Sequence, residues 1–304
     1  MNAVSIGEVL WDVLGDRYHL GGAPFNFAAH LHRLGHSVSF VSAVGNDDLG
    51  QQVRREMDRL GLSTRFLTSV PDQATGRVTV TLKAGGQPQF VIHRPAAYDF
   101  VQITSKQLQE LSVSSPDWIY FGTLLQMNLS ARRATDTLLA SLPRARRFYD
   151  VNLRAGSYTP ELVRSLLEQA TVIKLNDQEV AEVAEMIGCS YGSLEDFCRQ
   201  TAERFRCQAV CVTCGAEGCA VLIGDQFLKA PGYAVKVADT VGAGDAFAAG
   251  FIHGLASSWP PHQVADFANR LGALVASRAG AVPEWKMAEI HALEMQAGRR
   301  NFAS

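Results

Sequence analysis

The segment DTVGAGDAFAAGFIHGL, residues 239–255, is where residue types and spacing point most directly to chemistry. Gly242, Ala243 and Gly244 are small enough for the backbone to turn sharply and approach a ligand, and the pattern predicts a helix from about Asp245. A helix N-terminus lined by glycines presents free N–H groups and roughly half a positive charge, which suits an anion such as a phosphoryl group in transfer. Asp245 stands at that mouth either as a proton acceptor or as a plain N-cap, a position Asp favours. A dinucleotide fingerprint would need a glycine where Phe247 stands. The chain has no Gly-Lys pair, hence no Walker A loop, and no HRD or DFG triplet.

Other polar residues cluster where strands end. Asp12 follows the first expected strand in GEVLWD, and Gly22 and Asn26 open the helix in GGAPFNF. Asn152 and Arg154 in DVNLRAGSY, and Asn176, Asp177 and Glu179 in KLNDQEV, each come just after an apolar run. All six cysteines fall between Cys189 and Cys219. Cys211 and Cys214 form a CxxC pair on a strand, where residues three apart face opposite ways, and no second pair repeats the spacing. They read as buried thiols in a reducing compartment. His30 and His32, two apart on a helix, do not share a face and suggest no metal pair.

The elements that must carry these residues alternate. Strands are expected at 4–7, 38–44, 118–121, 148–151 and 172–175. Helices are expected between them: an apolar stripe through Phe27, Leu31 and Leu34 that stops at Gly35, another from about Asp47 to Gly61, and others near 131–139 and 161–169. This pattern predicts an α/β, doubly wound, mostly parallel sheet with helices on both faces, with ligands outside the carboxyl ends of the strands. One stretch differs. In GRVTVTLKAGGQPQFVIHR, Val78, Val80 and Leu82 alternate with polar residues, a turn is expected at Gly85 and Gly86, and Phe90 and Ile92 resume the alternation. That is a hairpin with one polar face, expected to stand off the main sheet as a small β lid.

The chain has 304 residues, a formal net charge of −2 and 19% charged residues, and no run of Lys and Arg. Nucleic acid is therefore not an expected partner. No apolar run approaches the ~18 residues of a membrane span, so a soluble, cytoplasmic protein is expected. One domain over 1–304 is expected, with its core at about 1–10, 21–61 and 101–304 and the lid at about 11–20 and 62–100.

GGAPFNFAAHLHRLG at 21–35 and DTVGAGDAF at 239–247 resemble the N- and C-terminal signatures of the PfkB, or ribokinase-like, family of sugar kinases, in the expected order and separation. The resemblance covers essentially the whole chain and implies a doubly wound sheet with a small β lid over the sugar. It also implies ATP and Mg2+ as requirements, Asp245 as catalytic base, and Gly242, Ala243 and Gly244 as the anion hole. Asp12, Gly22, Asn26, Asn152 and Arg154 would hold the sugar, and Asn176, Thr213, Gly215, Gly218 and Asn269 would line the nucleotide. Asn176 and Glu179 would organise magnesium through its waters. SRAGAVP, with Asp239, matches a monovalent-cation site of relatives, which leaves K+ open. Relatives pair their lids, so a homodimer is expected. GGAP, DVNLR and SRAGAVP are most similar to fructokinases, with 2-keto-3-deoxygluconate or ribose as alternative substrates. A dinucleotide oxidoreductase and a catalytically silent sugar-binding regulator are the readings kept from other classes. Arg94, on the expected lid, is either placed to reach an acidic sugar or simply an exposed lid arginine, the commoner case.

Overall fold

Short apolar segments alternate with capped helices along the chain, and a computed structural model, which describes residues 1–82 and 88–300, shows where they go. The strands are β1 (Asn2–Ile6), β2 (Leu10–Leu14), β3 (Arg17–Gly21), β4 (Ser37–Gly45), β5 (Leu67–Val70), β6 (Gly76–Leu82) and β7 (Pro88–His93). They continue with β8 (Trp118–Gly122), β9 (Arg146–Asp150), β10 (Val172–Asn176), β11 (Ala209–Thr213), β12 (Cys219–Ile223) and β13 (Gln226–Ala230). The helices of the first half are α1 (Ala23–Arg33), α2 (Asp48–Arg59), α3 (Ser105–Ser114), α4 (Thr123–Gln126), α5 (Leu129–Ser141) and α6 (Pro160–Gln169). The second half adds α7 (Asp177–Ile187), α8 (Leu194–Phe205), α9 (Ala243–Ala256), α10 (Pro261–Ala276) and α11 (Met287–Arg300).

Nine strands form one sheet in the order β13-β12-β11-β10-β9-β8-β1-β4-β5, parallel from β11 to β5 and antiparallel at the β12 and β13 end. Burial on both faces explains why the central strands read as continuous apolar runs. Along β8, Trp118 and Tyr120 enter the core under α1, α9 and α10, whereas Ile119 and Phe121 enter the core under α5, α6 and α7. The same alternation sends Phe148 and Val172 to the first core and Tyr149 and Ile173 to the second. Helix starts are chemically marked. Asp47 accepts the Gly50 N–H at the head of α2, and Thr159 accepts the Leu162 N–H at the head of α6.

The second sheet has four strands in the order β3-β2-β6-β7. The expected hairpin is present as the antiparallel β6 and β7 pair, with Val78 opposite Ile92, while its expected turn at Gly85 and Gly86 lies outside the described residues. One expectation shifts. The interval 62–100 is not all lid, because β5 pairs in parallel with β4 at the edge of the large sheet, where Leu67 is buried. Asp12 lies within β2 of the small sheet, opposite His19 and Val78. No helix among the described residues is long and apolar enough to cross a membrane.

Candidate active site

The carboxyl ends of β1, β8, β9, β10 and β11 line one edge of the large sheet, and the small sheet rises from that edge because β2 follows β1 within a few residues. The strand-end residues of the sequence signatures therefore meet the head of α9 there.

At that head, Gly242 is the N-cap with φ +79, and a Cβ on it would lie 2.4 Å from the Ala281 carbonyl oxygen. Only glycine fits this left-handed turn against backbone. Ala281 is itself held. Trp285 Nε1–H donates to His30 Nδ1, so His30 Nε2 carries the proton and donates to the Ala281 oxygen over 2.9 Å. Burial drives the His30 pKa down to about 4, which keeps this ring neutral. The helix starts at Ala243, two residues before the expected start, and Asp245 makes no capping bond. Its Oδ2 instead accepts the Asn26 amide over 2.8 Å. The N-cap reading of Asp245 is thereby excluded.

Burial is the largest influence on Asp245, followed by the like charge of Asp150; Asn26, Lys174 and Arg154 oppose them, and its pKa settles at about 6. The helix terminus favours the ionised carboxylate, and desolvation outweighs that influence. Asp245 remains mostly ionised at neutral pH and is a stronger base than a solvated carboxylate.

The sugar-side candidates gather at the same point. Asp12 is driven to a pKa of about 6 by burial, with the charges of Arg154 and His19 opposing. Gly22 caps α1 with φ +110, and a Cβ there would lie 2.5 Å from the Glu8 carbonyl oxygen, so α1 starts hard against the end of β1. Asn152 has φ +37, a conformation Asn tolerates better than most residues. The exposed Arg154 guanidinium, which donates to the carbonyl of Leu153, acts electrostatically on Glu8, Asp12 and Asp245.

The next group lies on the neighbouring strand ends. Asn176 and Glu179 form a capping box at the head of α7: Asn176 Oδ1 accepts the Glu179 N–H, and Glu179 Oε2 accepts the Asn176 N–H over 2.8 Å. Glu179 Oε1 also accepts the Leu153 N–H over 2.6 Å, which ties α7 to the DVNLR segment. Glu179 is buried; burial raises its pKa and the Asn176 amide opposes. Thr213 pairs with Asn176 across β10 and β11. Gly215 and Gly218 follow in a tight turn with φ +54 and +96. Space beside Gly215 is open, while a Cβ on Gly218 would meet the Ala230 carbonyl. Asn269 is drawn away from a ligand role because its amide donates to the Ala230 and Pro231 oxygens, which leaves only Oδ1. Asp239 and the SRAG segment do meet: Asp239 Oδ2 accepts the Gly280 N–H. Arg94 is not open to a sugar acid, because Asp99 and the Leu124 carbonyl hold its guanidinium.

Four residues of this region escape sequence reasoning. Glu8 is buried, its Oε2 has no hydrogen-bond partner among the described residues, and burial brings its pKa up to about 7. Lys174, Asp150 and Tyr120 form a buried network beneath α9. The one available signal was a lysine inside the apolar run VIKLN, since a parallel strand seldom buries an unpaired charge.

The model of the pfkB family of carbohydrate kinases matches residues 5–287. A fructokinase of Escherichia coli is 28% identical over 276 residues, which cover 86% of this chain and 87% of that protein. A fructokinase from Xylella fastidiosa, solved with bound ATP, superposes with a TM-score of 0.87 at 23% identity, covering 98% of this chain and 99% of that one. The fructokinase of Vibrio cholerae O395, solved with fructose, ADP and a calcium ion, gives a TM-score of 0.80 at 25% identity and covers 96% and 98% of the two chains.

Proposed function

The chain belongs to the pfkB family of carbohydrate kinases, and from that premise we propose that it transfers the γ-phosphoryl group of ATP to D-fructose, giving fructose 6-phosphate, with Asp245 as the base. That it is a sugar kinase, a phosphotransferase using ATP and a metal ion, follows from the family and its fructokinase relatives. The observation that carries the assignment of Asp245 as base is its half-buried carboxylate, fixed by Asn26 and standing three residues after the Gly242 turn at the head of α9.

In this reading the sugar lies between the small sheet and α1. Asp12 accepts hydrogen bonds from its hydroxyls, Asn26 both donates and accepts, and Gly22, Asn152 and Arg154 complete the wall. The hydroxyl to be phosphorylated points at Asp245, which takes its proton as the oxygen attacks in line. The N–H groups of Gly242, Ala243 and Gly244 face the phosphoryl oxygens. The nucleotide lies along Thr213, Gly215 and Gly218, and the space beside Gly215 and the close backbone at Gly218 fit a flat ligand against the chain. Asn176 and Glu179 supply only oxygen donors, both already tied to backbone amides, which fits Mg2+ held through its own waters rather than directly. The metal supplies charge neutralisation on the phosphates. Asp239 with 277–283 would hold K+ largely through backbone oxygens.

Two further parts belong to the proposal. ATP use and six free thiols fit the cytoplasm. On the small sheet, Tyr18 of β3 and Val91 of β7 are exposed, and a homodimer through this sheet would cover them. The deciding experiment is coupled ADP release over a panel of sugars including fructose, ribose and ketodeoxygluconate. Fructose should give the highest kcat/KM; a stronger response to another sugar replaces the substrate, and sugar binding with no ADP release would support a silent regulator.

A further inference from the structure

β9 and β10 run parallel with Asp150 opposite Lys174, so both side chains leave the sheet on the face covered by α9. Lys174 Nζ donates to Asp150 Oδ1 and Oδ2, each over 2.9 Å, and Tyr120 on the next strand donates its hydroxyl to Oδ2 over 2.9 Å. Side-chain exposure is 7% for Lys174 and 1% for Asp150. Three adjacent strands thus lock one charge pair in place. Directly above it is the head of α9, where a Cβ on Gly244 would lie 3.7 Å from Lys174 Nζ.

A buried ion pair is poor value for stability, because desolvating two charges offsets most of their attraction and apolar residues of similar size do as well or better. The neighbouring positions on these strands are apolar, so an ionic pair here needs another reason. We propose that Asp150 and Lys174 are positioning residues for Asp245: a fixed dipole beneath the first turn of α9 that sets how readily this carboxylate accepts a proton. The inference rests on Asp245 being the base.

The surroundings of Asp245 leave few other candidates. Asn26 reaches it from α1, Arg154 from the loop after β9, Glu8 from the end of β1, and the Tyr120 hydroxyl from β8. Arg154 is exposed, and its charge is screened by water. Of the buried charges, Asp150 makes Asp245 more basic and Lys174 restrains it. Burial works against the Lys174 ammonium, but Asp150 outweighs it and the pKa rises, so the cation is permanent.

The test follows kcat/KM for the best sugar of the panel against pH, in the full-length enzyme. The variants are Asp150→Asn, the double variant Asp150→Asn with Lys174→Met, which leaves no lone buried ion, and Lys174→Arg. Asp150→Asn should move the acidic limb down by about one pH unit, because a like charge beside Asp245 is gone. The double variant should fall between it and wild type, and Lys174→Arg should keep the wild-type limb. ATP affinity should stay within about threefold throughout, since these groups act on proton transfer rather than nucleotide binding. An unmoved limb in folded Asp150→Asn overturns the inference; if that variant does not fold, an unmoved limb in the double variant does so. Asp245→Asn is the control: wild-type turnover there overturns the base assignment, and an inactive Asp245→Asn with unmoved limbs overturns this inference alone.

Discussion

The Asn26 amide donates to Asp245 Oδ2 over 2.8 Å, joining two residues 219 positions apart in sequence and linking the first signature helix to the last. The bond fixes one carboxylate oxygen, leaves the other for a substrate proton, and favours the ionised form.

Asn26→Ala therefore removes an influence that opposes burial and Asp150 at Asp245. A group protonated below its pKa loses base activity on the acid side, so wild-type kcat/KM should fall below about pH 6. In Asn26→Ala that limb should move to higher pH and the sugar KM should rise. A pH profile that keeps its acidic limb in place would separate Asn26 from the ionisation of Asp245.

Glu179→Gln keeps shape but turns an NH2 toward one of the two amides that Glu179 now accepts. The mismatch should cost about 1–3 kcal/mol of stability. If Glu179 also orders magnesium waters, more magnesium will be needed for half-maximal rate. A lowered melting temperature with an unchanged magnesium requirement would reduce Glu179 to a capping acid.

Gly242→Ala puts a methyl group 2.4 Å from the Ala281 oxygen, at a φ of +79 that alanine resists. His30 and Trp285 hold that carbonyl, so the turn and not the carbonyl must yield. Turnover should fall by about 10²-fold, as for loss of one oxyanion donor, while sugar binding measured by calorimetry is retained. Turnover within a few-fold of wild type would mean the turn does not face the phosphoryl group.

The alternation of apolar strands and glycine-ended helices made the doubly wound sheet legible, and the polar residues after strands marked its working edge. What stayed hidden is pairing across the chain. Nothing local to VIKLN or RRFYD says that Lys174 and Asp150 face each other, because that depends on β9 and β10 being neighbours in register. The start of α9 was misplaced because Asp245 resembles a cap, whereas the turn at Gly242 caps without a side chain. Arg94 was assigned to the lid surface, and only the structure shows Asp99 beneath it.

The small sheet provides a further test. Deletion of residues 78–92 should weaken sugar binding much more than ATP binding and raise ATP hydrolysis relative to sugar phosphorylation, because water gains access to the γ-phosphate. A deletion variant that folds with unchanged sugar half-saturation and no added hydrolysis would show that the hairpin is not a lid. Sedimentation of the intact protein should give a dimer at micromolar concentration, and a monomer would reject the pairing while leaving the kinase assignment in place.

The most direct test of the account is the steady-state rate of sugar-dependent ADP release by Asp245→Asn beside wild type. The substitution is isosteric and removes only the proton acceptor, so the variant should melt near the wild-type temperature, bind ATP with similar affinity, and turn over about 10²- to 10⁴-fold more slowly. A folded Asp245→Asn enzyme with near wild-type turnover would contradict the account at its centre.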